Sequence, residues 1–501
     1  MHDKLTPEKL SPDQRVAYDG IMTWLNRATA TKRTLTLGGF AGSGKSTVVS
    51  VVAHELLKLG PIAFCAFTGK ASSVLARKLA AAGIPTVNRI VRRDLLGGVG
   101  AFEPRPYCGT IHGLVYRPCD ECMTETKYEH TMGPECREPR PARDEDAPTG
   151  GEDAPAGDEL GDALKKALAT PSRPATVCFG CDPPPPVKRD GPCQRCSNAR
   201  YLRRETLDRS YRLIVVDEAS MVSDEILDTL LQFRVPILAV GDHGQLPPVK
   251  GAGSLMRAPD LRLEKIHRQA AGNPIIALSA RIRETGTIDD ALEDGHAFSI
   301  LAKRDMPKWI AQRFTQSRLA ADPATPAGIM GTVMISWTNK TRVSLNYDIR
   351  EALGDSGPPR AGEVMICLKN KAPIYNGMRG VLAGNAERWG APGEKAPKWR
   401  VSVNFVEDGQ KAENILVSEL QFFAEKTIDY DAAQELGVSM SKLGELYDFG
   451  YAMTCHKLQG SQAPEVGVLL EPGLTRMPRE DRTRWLYTAA TRAAERLTII
   501  R

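Results

Sequence analysis

The 501-residue chain has no long apolar stretch free of charge, although hydrophobic residues make up 42% of it. No segment therefore reads as a membrane span. Met1-His2-Asp3-Lys4 opens neither an apolar signal core nor a transit-peptide pattern, so a cytoplasmic protein is expected, or one in a host cell's replication compartment if the source is viral. A large charge excess is also missing. The formal net charge of +5 permits a polyanionic partner without demanding one. No solenoid repeat and no nuclease-type constellation of carboxylates is evident. Cysteine is sparse outside one region: eight of the eleven lie between Cys108 and Cys196, six of them as three CxxC pairs. Without a secretion signal, that clustering favours metal over disulfides.

What is present alternates short apolar runs with helical stretches. Ser11-Pro12-Asp13-Gln14 marks a helix start, with Ser as N-cap and Gln in position to complete a capping box. Thr34–Leu37, Ile62–Phe67, Leu213–Val216 and Ile237–Val240 are strand candidates, and each runs into Gly, Thr or Asp, where loops of parallel sheets carry chemistry. The stretch 104–197 breaks the rhythm with its CxxC pairs and prolines. Its centre, 140–162, is acidic, rich in Pro, Gly and Ala, and unable to bury a core. A second α/β half begins near Val333, and 362–423 is richer in strand and turn signals. The expected architecture is α/β: 1–103 with 198–275 as a first domain, 104–197 as a Cys-rich insertion, 276–361 with 424–501 as a second domain, and 362–423 as a small β-rich insertion in it.

Gly39-Phe40-Ala41-Gly42-Ser43-Gly44-Lys45-Ser46 fits GxxxxGK[ST] between a strand and a helix. Backbone N–H groups freed by the glycines would wrap phosphates at a helix N-terminus, Lys45 would reach the β- and γ-phosphates, and Ser46 would bind Mg²⁺. Asp217-Glu218 ends an apolar run. Asp217 is expected to hold the magnesium and Glu218 to deprotonate the attacking water. Gln245, in Gly241-Asp242-His243-Gly244-Gln245-Leu246-Pro247-Pro248-Val249, is a candidate sensor of the γ-phosphate.

These motifs, taken in order, resemble the superfamily 1 helicases of the RecD/Dda type, the branch associated with 5′→3′ movement. Asp217-Glu218-Ala219-Ser220-Met221 resembles its DEAS-M motif and Gly241–Val249 its GDxxQLPPV. Phe67-Thr68-Gly69-Lys70-Ala71 and Thr110-Ile111-His112 resemble its TGKA and TIH elements. His267-Arg268-Gln269, Tyr451-Ala452-Met453-Thr454-Cys455-His456-Lys457-Leu458-Gln459-Gly460-Ser461-Gln462 and Tyr487-Thr488-Ala489-Ala490-Thr491-Arg492-Ala493 resemble later motifs. Gln462 departs from the usual glutamate. The resemblance implies two RecA-like P-loop NTPase domains with ATP between them and Arg268 and Arg492 as arginine fingers. It makes Gln14, Gly39, Ala41, Gly42, Ser43, Gly44, Lys45, Ser46, Thr47 and Gly460 the nucleotide-binding set. Thr68, Lys70, Thr110, His112, Thr338, Asn339, Thr454 and His456 become nucleic-acid contacts. Trp337 is expected either to stack on a base or to fill the core.

Cys178, Cys181, Cys193 and Cys196 suit one tetrahedral zinc, and Cys119, Cys122, His130 and Cys136 a second. Pairing of Cys119 and Cys122 with a later knuckle is the alternative. Cys65, Cys367 and Cys455 read as core residues. The insertion occupies the place of the duplex-splitting pin in the resembled helicases. The expected function is an ATP-dependent DNA helicase acting on single strands and forks, in replication, recombination or repair, with proteins of those processes as partners. A RecD-like motor subunit of a nuclease complex, or an ATP-switched binding module, are the alternatives.

Overall fold

The computed structural model describes residues 6–27, 32–88, 105–118, 201–204, 206–207, 210–248, 251, 253–265, 273–319, 329–371, 374–391, 393–405 and 409–501. Arg268 and all eight expected zinc ligands lie outside them. The chain divides into two units, one made of Met1–Val115 with Arg204–Arg501 and one of Tyr116–Arg203. In the smaller unit, Tyr116–Pro118 pairs antiparallel with Tyr201–Arg203. Among the described residues no helix is long and apolar enough to cross a membrane.

The larger unit is α/β, with two parallel sheets and one antiparallel sheet. The first sheet runs Tyr107–Thr110, Ile62–Ala66, Leu213–Asp217, Ile237–Gly241, Thr34–Gly39, Leu261–Leu263, every neighbouring pair parallel. Ile62–Ala66 and Ile237–Gly241 are buried at every position, which is why they read as unbroken apolar runs. Side chains still alternate between the two faces. Leu213 and Val215 pack with Val48, Val52 and Leu56 on one face. Ile214 and Val216 pack with Ile111, Leu114 and Leu230 on the other. Tyr107–Thr110, inside the stretch read from sequence as an insertion, is the edge strand here; four residues are too few to show a periodicity.

The second parallel sheet runs Ala452–Thr454, Thr332–Ser336, Ala463–Leu469, Ala493–Ile500, Phe298–Leu301. Val333 and Ile335 face helices Pro274–Thr285 and Arg479–Ala490, with Trp485 and Tyr487 fully buried between them. Met334 faces the opposite core, shared with the antiparallel sheet. That sheet joins Glu387–Trp389, Lys398–Phe405, Arg379–Leu382, Val364–Cys367 and Tyr447–Phe449, with Gln410–Ser418 paired to Lys398–Phe405. Its last strand falls outside the 362–423 stretch because three residues carry no strand signal by themselves. Cys65, Cys367 and Cys455 are buried thiols, as their isolation suggested, and Cys108 joins them.

Buried polar groups fix the antiparallel sheet to helix Asn339–Ala352. Arg350 Nε donates to Glu363 Oε1 at 2.6 Å and its guanidinium lies 4.0 Å from the Phe449 ring centroid. Both side chains are almost fully removed from solvent, at 3% and 0% exposure, so each desolvated charge depends on the other. Glu363→Ala should therefore destabilise the protein by about 3–5 kcal/mol in urea unfolding. A loss under about 1 kcal/mol would mean that the pair is solvated in solution.

Candidate nucleotide-binding site

Register places the working strand ends of the first sheet at one level: Gly38 opposite Gly241, and Ala66 opposite both Asp217 and Thr110. The loop after Gly39 turns through Gly42 and Gly44, both at φ 80°, a region that a side chain would make costly. Helix Lys45–Leu56 starts immediately after, so its unpaired N–H groups face the loop. Lys45 Nζ donates to the carbonyls of Gly39 at 2.6 Å and Phe40 at 3.0 Å. Gln14 makes the backbone bond of a capping box and also lies beside the phosphate loop. Its Oε1 accepts from Ser11 N at 3.1 Å, the capping-box bond, while its Nε2 reaches Ser43 O in the phosphate loop at 3.5 Å. The Ser11 hydroxyl turns instead to Asp13.

Asp217 ends its strand and Glu218 follows in the left-handed region at φ 52°, a conformation that non-glycine residues adopt at a cost and often at functional sites. Burial pushes the Glu218 carboxyl above its ordinary value. Neighbouring Asp217 adds to the rise, and Arg492 and Lys45 oppose it. On the next strand end, Asp242 Oδ1 accepts from Gly244 N at 2.9 Å, and its Oδ2 lies 3.4 Å from Gln245 Nε2. Gln245 Oε1 is buried without a hydrogen-bond partner.

The second sheet contributes the other wall. Arg492, 4% exposed, is held by donation to Thr488 O, Ser461 O and Thr491 Oγ1, each at 3.1 Å. Gly460 sits at φ 74°, and a Cβ there would lie 3.1 Å from Ala71 Cβ and 4.0 Å from Glu218 Cγ. Only glycine lets the two segments approach so closely without strain. Lys45, Ser46, Asp217, Glu218, Gln245, Gly460 and Arg492 thereby line one cavity of about 530 Å³. The donor set fits a magnesium-bound nucleoside triphosphate. Ser46 and Asp217 are hard oxygen ligands, a side chain at Gly39 would collide with Ser43, and the orphaned Gln245 oxygen is aimed at no protein donor.

The expected nucleic-acid residues separate. Thr68 Oγ1 accepts from Ala71 N at 3.1 Å and Thr110 Oγ1 from Gly113 N at 3.0 Å; both cap turns at neighbouring strand ends. His112 and Asn339 are exposed, whereas Thr454 and His456 are half-buried, and burial lowers the His456 imidazole's proton affinity. Lys70 is buried and is one of the residues lining the cavity. Thr338 bonds to Glu471, which accepts from Trp337 N (2.6 Å), Thr338 N (3.0 Å), Thr338 Oγ1 (2.8 Å) and Thr341 Oγ1 (2.7 Å). Trp337 is half-buried and leans on Gly473, leaving it in the wall of the core. The sequence assigned no role to Glu471 or to Tyr487, whose hydroxyl donates to Asp242 Oδ2 at 2.6 Å.

Two family models match the chain. One, described as an AAA domain, covers residues 25–251; the other, a UvrD-like helicase C-terminal domain, covers 449–500. An ATP-dependent RecD2 DNA helicase of Deinococcus radiodurans is 28% identical over 316 residues. The match takes in 57% of this chain and 36% of that protein, so the chain spans about a third of the length of the curated relative it matches. Among solved structures, a Pif1 helicase from Candida albicans aligns over 98% of this chain and 94% of its own, at 14% identity and a TM-score of 0.45. A Bacteroides Pif1 helicase in complex with ADP-AlF3 and ssDNA aligns over 96% and 91%, at 16% identity and a TM-score of 0.42. The two family models match opposite halves of the chain, and its motifs run in the order of the superfamily 1 helicases, which it resembles.

Proposed function

We propose that the protein is an ATP-dependent DNA helicase that moves along single-stranded DNA with 5′→3′ polarity and unwinds duplex at forks, on two RecA-like domains built around the two parallel sheets. The observation that carries this reading is a single cavity walled by Lys45, Asp217, Glu218 and Gln245 from the first sheet and by Gly460 and Arg492 from the second. A nucleotide there touches both halves, so its binding and loss change how they meet, which is the requirement for a motor. The similarity to a RecD2 DNA helicase supports the choice of DNA.

Bound magnesium–ATP would supply the phosphoanhydride and the divalent charge that neutralises its oxygens. Around it, Lys45 and Arg492 bring positive charge to the phosphates, while Ser46 and Asp217 hold the cation. Glu218 takes the proton of the attacking water, and Gln245, with its spare oxygen, orients that water. Arg268 adds a second arginine by its motif.

The Cys-rich stretch is read as one or two zinc sites formed by Cys119, Cys122, His130, Cys136, Cys178, Cys181, Cys193 and Cys196, in a module at the fork. Replication, recombination or repair is the setting that fits such a motor.

Strand displacement should occur on 5′-tailed duplexes and vanish in Lys45→Ala; displacement only from the 3′-tailed substrate would overturn the polarity. Because the base form of Glu218 is the active one and its pKa is raised, ATPase kcat/KM should fall with acidity through a limb lying above the ordinary glutamate value of about 4.3. Glu218→Gln should abolish turnover at every pH, and an acid limb at or below that value would remove Glu218 from the role of base. Elemental analysis of the purified protein should give one or two zincs per chain, and none in its absence of all six CxxC cysteines; a zinc-free, folded wild type would end the metal reading.

A further inference from the structure

The loop Asp242–Leu246, which carries Gln245, is held from the far side of the cavity at both of its ends. At one end Tyr487 Oη donates to Asp242 Oδ2 at 2.6 Å. At the other, Leu246 N donates to Thr488 Oγ1 at 3.1 Å and Gln459 Nε2 donates to Leu246 O at 3.2 Å. Tyr487 Oη also accepts from Ala41 N, in the phosphate loop, at 3.3 Å. One fully buried hydroxyl thus joins the phosphate loop, the Gln245 loop and the helix Arg479–Ala490. That helix leads directly to Arg492, whose Nε donates back to Thr488 O.

We infer that Tyr487 is a positioning residue for ATP hydrolysis, its hydroxyl setting Asp242, and through it Gln245, in register with Arg492. This rests on the proposed ATPase reading. The ring and the hydroxyl have separable work. The ring fills the space beside Gly244, where a Cβ would lie 3.0 Å from it, and stands edge-on to Phe40 at 6.3 Å. The hydroxyl adds nothing to that packing, yet it makes a short bond to a carboxylate that is 1% exposed. Burial beside that carboxylate drives the phenol's pKa up, so it remains a donor throughout the working pH range. Asp242 in turn orients both Gly244 N and the Gln245 amide. Removing the hydroxyl leaves a buried carboxylate oxygen short of its strongest donor, and the amide beside it is free to turn. A change in how the two halves meet would therefore reach Gln245 and Arg492 together, through one helix.

The test is a double-mutant cycle on the full chain, with Tyr487→Phe, Asp242→Asn and both together, assayed for ATPase with and without single-stranded DNA. Tyr487→Phe should lower kcat about tenfold and leave KM for ATP within about twofold, the signature of an interaction that matters in the transition state. The double variant should fall no more than about twofold below the worse single, because both substitutions break one link. Trp485→Phe, a buried neighbour on the same helix, serves as the structural control and should lower the melting temperature without that selective loss of kcat. Unchanged kcat in Tyr487→Phe, a rise in KM alone, or losses that multiply in the double variant would overturn the inference. Asp242→Asn leaves the helix intact and carries the same expectation if Tyr487→Phe does not fold. A wild type that hydrolyses no ATP would sink the ATPase reading itself, whereas a normal, Lys45-dependent wild type with a normal Tyr487→Phe would sink only this inference.

Discussion

As the proposed base, Glu218 must be buried enough to hold a proton and charged enough to take one, and the residues around it bear on that tension. Burial and the neighbouring Asp217 both favour its protonated form, and Asp242 adds a third carboxylate nearby. Both effects raise its proton affinity. Lys45 from the first half and Arg492 from the second push the other way. The balance needs both halves, so the electrostatics of the base depend on their approach. Gly460 makes that approach feasible, since any side chain there would stand against Ala71 and Glu218. Catalytic competence and closure of the cavity are in this sense one geometric condition.

The same condition explains why the second half is so heavily cross-braced. Arg492 delivers its charge only if its own position is fixed, and three donated hydrogen bonds to Thr488, Ser461 and Thr491 fix it. Those partners belong to the helix Arg479–Ala490 and the segment beside Gly460, both anchored in the core around Trp485, Tyr487 and Leu458. A long, cationic side chain loses much rotamer freedom when held like this. That loss is met when the protein folds rather than at each catalytic turn, which is the advantage of preorganised charge.

Much of the site was legible in the sequence because its chemistry is contiguous there. A phosphate loop must be Gly-rich and must precede a helix, so Gly39–Ser46 can be read from the chain locally; Asp217-Glu218 after an apolar strand and Gln245 after another are nearly as local. What sequence did not reveal is pairing over distance. Tyr487 and Asp242 are 245 residues apart, and Glu471 caps a helix whose first residues lie about 130 positions earlier. Lys70 shows the limit differently: its motif says nothing of burial, yet helix Gly69–Ala81 starts with that side chain buried in the cavity wall. Strands of three or four residues, such as Tyr107–Thr110 and Tyr447–Phe449, are defined by their neighbours' hydrogen bonds and leave no pattern to read.

The antiparallel sheet is tied to this machinery through the backbone itself. Its last strand, Tyr447–Phe449, is followed after two residues by Ala452–Thr454, the edge strand of the second parallel sheet and the start of the segment that carries His456 and Gly460. Asn346 Oδ1 accepts from the N–H groups of both Tyr451 and Ala452 at 3.0 Å, so the passage between the sheets has no slack. At the other end, the turn at Tyr375-Asn376-Gly377 meets two motif segments. Tyr375 packs on Gly69, leaving no room there for a side chain, and Asn376 accepts from Lys457. Burial lowers the Lys457 ammonium to about 8, a cost that its bond to Asn376 offsets. The turn therefore touches the start of the helix that holds Lys70 and the short helix that follows Thr454. A displacement of the antiparallel sheet would be felt at both, and through them at the wall of the nucleotide cavity.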